Sequence, residues 1–228
     1  MHLASKIHKE LKSHFPPDDT IGTVMTCRQV SLTLNKILRP MGAQLRIIRD
    51  KELATKNGSK REYYSFSGYY NSGKNKTPIM INLHITPTKK LFKFTPKRYT
   101  TFMFMFSQVV QHEFIHQSQN QFRPEQFDRK IKTYYSNRIA KKRLKEIEYL
   151  SAWSEVEAYA HDIAMEIHHY YKNENPVKIL KNIDEQKYLH SFIYYKDAFK
   201  GADWNKLKKS LLRKVWKWLP SAHIPKFI

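Results

Sequence analysis

TTFMFMFSQVVQHEFIHQSQ, residues 100–119, is the stretch from which the rest of the chain is read. Through Val110 it is apolar on nearly every face, the mark of a helix enclosed by protein. Beyond Val110 it turns polar and carries HEFIH. On an α-helix, residues four apart are separated by about 40° around the axis and one turn along it, so His112 and His116 can aim both imidazoles at one ion. Glu113 projects about 100° from His112, within reach of a water on that ion without binding the ion itself. A chain of this composition would contain His-Glu-x-x-His only ~0.03 times by chance, so the match is informative and calls for support from its surroundings.

Upstream, residues 43–86 hold three short segments rich in β-branched and aromatic residues, AQLRIIRD, EYYSFSGYY and PIMINLHIT. NGSK and NSGKNK separate them with turn punctuation, and three strands are expected. Pro78 and Pro87 suit an edge or a strand terminus better than a central position. Before them, Ile7, Leu11 and Phe15 fall on one helical stripe. The run from Pro16 to Thr20 breaks it, and Val24, Val30, Leu34, Ile37 and Leu38 predict a second amphipathic helix ending before Pro40.

Downstream, residues 123–145 form a basic connector, with nine Lys/Arg against Glu125 and Asp128. SEVEAYAHDIAMEIHHYYK is strongly helical by composition, and two C-terminal helices follow around EQKYLHSFIYYKDAF and WNKLKKSLLRKVWKWL. The expected fold class is α+β, mostly helical, with a small three-stranded sheet packed beside the HEFIH helix. One domain, 1–228, is expected, built from N-terminal helices (1–42), the sheet (43–86), the HEFIH and glutamate helices (100–172) and the C-terminal helices (176–228).

A chain of 228 residues, 41% hydrophobic and 14% aromatic, can bury one substantial core. Its single cysteine, Cys27, excludes an intrachain disulfide framework and a cysteine-based zinc site, and fits a reducing compartment. The N-terminal MHLASKIHKELKSHF lacks the apolar core of a secretory signal, and no apolar run reaches the ~18 residues needed to cross a bilayer. A soluble, cytoplasmic protein is expected. The net charge of +21 attracts polyanions, so nucleic acid contact through the basic surface and a preference for acidic peptides are both expectations of the charge. In the last helix, Trp204, Leu207, Leu211, Val215 and Leu219 form an apolar stripe. It suits either packing on the domain or a membrane or partner surface.

A catalytic zinc commonly takes three protein ligands and keeps a fourth position for water. Gln119 and Phe122 stand where HExxHxxGxxH has glycine and histidine, so that ligand set is excluded. The remaining common solution is a carboxylate on a second helix, and SEVEAYAHDIA offers Glu155 and Glu157 on roughly opposite faces. Glu157 has Ala160 and Ala164 on its side, small residues that let two helices approach closely, and it is the expected third ligand. Glu155, beside Tyr159 and Asp162, is the alternative ligand. The adjacent His168 and His169 diverge by about 100° and do not extend a cluster.

HEFIH followed by EVEAYAHDIA resembles the zincin metallopeptidases, in the branch whose third zinc ligand is a glutamate. The segment YLS-x-x-x-E-x-E-A-Y-A is also similar to small phage-encoded peptidases, which would place the protein in the host cytoplasm or the virion. The resemblance spans about residues 43–170. It implies a zincin-like fold in which the edge strand, here PIMINLHIT, borders the cleft. One zinc ion is implied on His112, His116 and Glu157, the glutamate directly before alanine. Glu113 would act as general base in hydrolysis of a peptide bond, and Asp162 or Glu155 would orient a ligating histidine. A further donor for the oxyanion is implied, with Tyr134, Tyr135, Tyr149, His161, His190 and Tyr194 as candidates. The expectation from a different class is a basic binding or structural protein on the same fold, contacting nucleic acid or a virion component.

Overall fold

The computed structural model describes residues 3–55, 63–73, 78–124, 142–199 and 202–222. Helix α1 (Leu3–His14) buries Ile7 and Leu11, with Phe15 just beyond it. One helical turn, α2 (Pro17–Thr20), starts on proline, whose fixed φ suits a first helical position. Val24 departs from the expected second helix. It lies in a short strand, β1 (Val24–Thr26), and is 53% exposed. The helix itself, α3 (Cys27–Leu38), starts after Thr26, whose hydroxyl accepts from the Gln29 amide while the Gln29 side chain accepts from the Thr26 amide. That reciprocal cap fixes the start of the helix.

Next come β2 (Ala43–Arg49), α4 (Lys51–Thr55), β3 (Tyr64–Tyr70), β4 (Ile79–Ile85) and β5 (Leu91–Lys93). The three strands read from the sequence all form, in the order β2-β4-β3, with β2 parallel and β3 antiparallel to β4. PIMINLHIT is therefore the central strand of a mixed sheet, not its edge. Ile79, Ile81, Leu83 and Ile85 are fully buried, on the sheet face that also carries Phe66 and Gly68. Pro78 and Pro87 both fall outside the strand, where their missing N–H breaks no ladder bond. The outer edge of β2 is closed by Asn35 of α3, which accepts from the Leu45 N–H and donates to the Leu45 C=O. A second sheet of β1 and β5, antiparallel, was not expected. Three-residue strands are too short for alternation to show in a sequence.

Helix α5 (Pro96–Phe122) starts four residues earlier than expected, because Thr95 accepts from the Arg98 amide and proline occupies the first helical position. Its Phe102 and Phe106 rings meet Phe66 of β3 at 5.2 and 5.7 Å, so the sheet lies against this helix. It ends before Pro124, which disfavours a helical conformation at Arg123.

The chain forms two compact units, one ending at Phe114 and the other beginning at Ile115, so the boundary falls inside α5. The second unit contains α6 (Lys142–Ser151), α7 (Trp153–Tyr170), α8 (Pro176–Lys181), α9 (His190–Ala198) and α10 (Ala202–Trp218). Helix α7 is its centre, packed by α6, α9 and α10. The stripe on α10 is spent on this packing, with Leu211 and Val215 fully buried. Nearly all of the basic connector lies outside the described residues. Among the described residues no helix is long and apolar enough to cross a membrane. The protein is α+β and mostly helical.

Candidate metal centre

Helix α5 buries five polar side chains within nine residues: Gln111, His112, Glu113, His116 and Gln119. Burying polar groups without partners costs several kcal/mol in apolar surroundings, at about 2–7 kcal/mol per group. Their partners therefore define what this part of the helix is for.

His116 is the best determined of them. Its Nδ1 lies 2.9 Å from Gln119 Oε1, and Gln119 Nε2 donates to the Ser154 carbonyl at 3.1 Å. That carbonyl can only accept, so it fixes the amide with its nitrogen toward Ser154 and its oxygen toward the histidine. Nδ1 must then carry a proton, and in the neutral ring Nε2 presents a lone pair. Nε2 faces Glu155 Oε1 at 3.2 Å, with both side chains buried. A lone pair and a carboxylate oxygen repel at that distance unless a cation, either a proton or a metal ion, lies between them. Glu155 sits in the first turn of α7, where the helix dipole favours negative charge.

His112 is one turn before His116 on α5. His112, His116 and Glu155 each present one donor atom, and the three atoms lie within 4.8 Å of one another. The set of two imidazoles and a carboxylate is one that zinc takes at catalytic sites. Glu113, next to His112, is 4% exposed and packs its side chain over Gly68 of β3. A Cβ at position 68 would stand 2.5 Å from Glu113 Cγ. The glycine is what lets the glutamate lie against the strand.

Glu157, the expected third ligand, is elsewhere. Its carboxylate pairs with Lys214 of α10. The small face that Glu157 shares with Ala160 and Ala164 does admit a close helix, but the helix it admits is α10. Two residues apart on α7, the two glutamates differ by about 200° around the axis, so only Glu155 can face His116. The residue that bonds to the second ring nitrogen of His116 is Gln119, not Asp162 or Glu155. Asp162 is buried and stands 4.0 Å from His161.

Among the described residues, none of the expected oxyanion donors belongs to the group of His112, His116 and Glu155. His161 meets the Trp218 ring edge-on at 4.9 Å, and Tyr194 donates to Glu146 at 2.6 Å. His190 is exposed at the start of α9, and Tyr149 is half-buried on α6. Tyr134 and Tyr135 lie outside the described residues. Tyr195, not foreseen, is fully buried and donates to the Leu150 carbonyl. Burial, and then Glu155, Tyr159 and Asp162, raise its hydroxyl well above the usual tyrosine range.

Two residues that shape the site escaped the sequence reading, Gln119 and Gly68. Gln119 carried a signal, an amide three residues after His116 and on the same helix face. Gly68 carried none, because its role depends on a long-range packing contact. Compared with protein-family models, with curated proteins and with solved structures, the chain matches none of them.

Proposed function

We propose that this protein is a zinc-dependent peptidase, with one zinc ion held by His112, His116 and Glu155, and Glu113 as general base. The observation that carries the reading is the buried group of His112, His116 and Glu155, whose donor atoms lie within 4.8 Å of one another, with His116 held through Nδ1 by Gln119 so that Nε2 faces Glu155 at 3.2 Å. A cation there turns a buried repulsion into a ligand set. The peptide as substrate class comes from the likeness of HEFIH and EVEAYAHDIA to the zincins.

When bound, zinc supplies Lewis acidity, polarising a carbonyl and bringing the pKa of water to about 7. The chain's residues do the rest. Glu113, buried and backed by the strand at Gly68, takes a proton from the attacking water and returns it to the leaving amine. Gln119 keeps His116 in the tautomer that presents Nε2, and Ser154 keeps Gln119 from turning over.

The test is elemental analysis joined to peptidase assay. Wild type should carry one zinc per chain, His116→Ala should lose it, and Glu113→Gln should keep it while losing hydrolysis. Wild-type protein that binds no zinc when metal is supplied would sink the proposal.

A further inference from the structure

The opposite face of the three-stranded sheet carries a second reactive constellation. Side chains alternate across a strand, so Gly68 and Phe66 turn toward α5 while Ser67 turns away from it. Ser67 Oγ lies 2.8 Å from His84 Nε2, and His84 Nδ1 lies 3.2 Å from Asp50 Oδ2. Asn82 Nδ2 donates to Ser67 Oγ at 3.2 Å, and Arg46 Nε donates to Asn82 Oδ1 at 2.7 Å.

The two ends of this chain fix every bond in it. A guanidinium can only donate, so the Asn82 oxygen faces Arg46 and its nitrogen faces Ser67. The Ser67 oxygen accepts that bond, which leaves its own proton for His84. At the other end the Asp50 carboxylate only accepts, so Nδ1 of the neutral ring carries the proton and Nε2 is the acceptor. Asp50 is itself held fast. Its Oδ1 caps α4 by accepting from the Glu52 and Leu53 amides, and its amide extends the strand pairing by donating to the Ile85 carbonyl. Desolvation acts to raise its carboxyl, but the Leu53 and Glu52 amides and His84 outweigh this and hold it below the usual carboxylate range.

The geometry points to Ser67 as the nucleophile of an acyl-transfer site, distinct from the metal centre, that hydrolyses carboxylic esters. His84 is its base, Asp50 orients the base, and Asn82, turned by Arg46, is the donor for the oxyanion. The site is open to solvent: the His84 and Asp50 side chains are 21% and 28% exposed, and Ser67 is half-buried. Ser67 Oγ bonds to the ester carbonyl carbon as its proton passes to His84 Nε2. The carbon–oxygen bond to the alcohol then breaks, and the alcohol leaves with that proton. Water, deprotonated by His84, attacks the acyl-serine. The bond to Ser67 Oγ breaks, the carboxylic acid departs, and Oγ recovers its proton from His84.

A fluorophosphonate probe and p-nitrophenyl acetate test this on the full chain, with peptide mass spectrometry locating the label and Glu113→Gln silencing the metal centre. Ser67 should be labelled in both wild type and Glu113→Gln. Asp50→Asn keeps an oxygen to cap α4, so it should fold. It should still slow labelling and ester turnover by about 10²-fold or more, because the His84 proton is no longer fixed on Nδ1. Asn82→Ala should slow ester turnover by about 10²-fold through loss of the oxyanion donor. Folded wild-type protein that leaves Ser67 unlabelled at pH 8, or labelling at an unchanged rate in Asp50→Asn, would overturn the assignment.

Discussion

Replacing Gly68 by alanine isolates the contact that seats Glu113, the proposed general base. Gly68 is not one of the glycines with positive φ, so its backbone accepts alanine without strain. On propensity alone, removing a glycine from a strand interior gains about 0.5–1 kcal/mol. Against that, the new Cβ would lie 2.5 Å from Glu113 Cγ, 2.6 Å from Oε1 and 2.8 Å from Cδ. Carbon atoms rest at about 3.5–4.0 Å, so roughly 1 Å must open between strand and helix. Overpacking of this kind costs about 1–3 kcal/mol, so the clash outweighs the propensity gain and a net loss is expected. If Glu113 yields instead of the backbone, its carboxylate moves by about that ångström, a displacement that can cost ~10²-fold in rate. Urea midpoints, zinc content and peptidase kcat should separate the effects: lower stability, unchanged zinc and a kcat down by about two orders of magnitude. Glu113→Ala in the Gly68→Ala background removes all three clashing atoms and should restore part of the stability, a coupling on the order of 1 kcal/mol in a double-mutant cycle. A Gly68→Ala protein as stable and as active as wild type would refute the packing argument.

Glu155→Gln should abolish stoichiometric zinc in elemental analysis. Glu157→Gln should leave it intact and cost no more than about 1 kcal/mol through the lost Lys214 pair, read from urea midpoints. Gln119→Leu removes the group that sets the His116 tautomer and should weaken zinc affinity by about 10–100-fold in a competition titration. Glu166→Ala removes the carboxylate that accepts from the Ser191 amide and hydroxyl at the start of α9, and should cost about 3 kcal/mol in equilibrium unfolding without altering zinc content. His169 is pushed down to about 4 by burial and then by Lys172, so the fold favours its neutral ring. That preference contributes fully above pH 6.5 and is lost as pH falls toward 4. The stability of His169→Gln should therefore fall less than that of wild type across this window.

The elements written in long patterns were legible. The continuous apolar run of α5, the stripe of α1 and the three segments of the sheet each repeat a local signal over seven or more residues. What depended on three residues was not, as β1, β5 and the displaced Val24 show. Pro78 and Pro87 illustrate a subtler limit. Proline excludes a ladder position, and both residues obey that rule, yet the rule holds equally for an edge strand and for a central strand that simply begins after one proline and ends before the other. Ladder pairing decides between them, and that is a long-range relation: β4 is central because β2 and β3 pair on its two sides.

The site was legible to the same depth. His112, Glu113 and His116 follow from helix geometry alone, since one helix carries all three. A third ligand belongs to a relation between helices, and there the small-residue rule named Glu157, whereas the carboxylate that stands beside His116 is Glu155. Ala160 and Ala164 mark where a neighbouring helix comes close, but they say nothing of which neighbour. On α7 that neighbour is α10, which brings Lys214 to Glu157 and the Trp218 ring to His161. A different criterion points to Glu155. A buried carboxylate is least costly where backbone amides already supply positive potential, and Glu155 lies in the first helical turn, whereas Glu157 is past it. Placing the helix start at Trp153 is thus the step on which the choice of ligand turns. The same criterion accounts for Glu166, which lies deep in α7 and meets its positive end elsewhere, at the N-terminus of α9. Two of the three buried carboxylates of α7, Glu155 and Glu166, therefore sit where a helix begins, while Asp162 lies beside His161, and of the three it is Glu155 that stands with His112 and His116 in the proposed metal site.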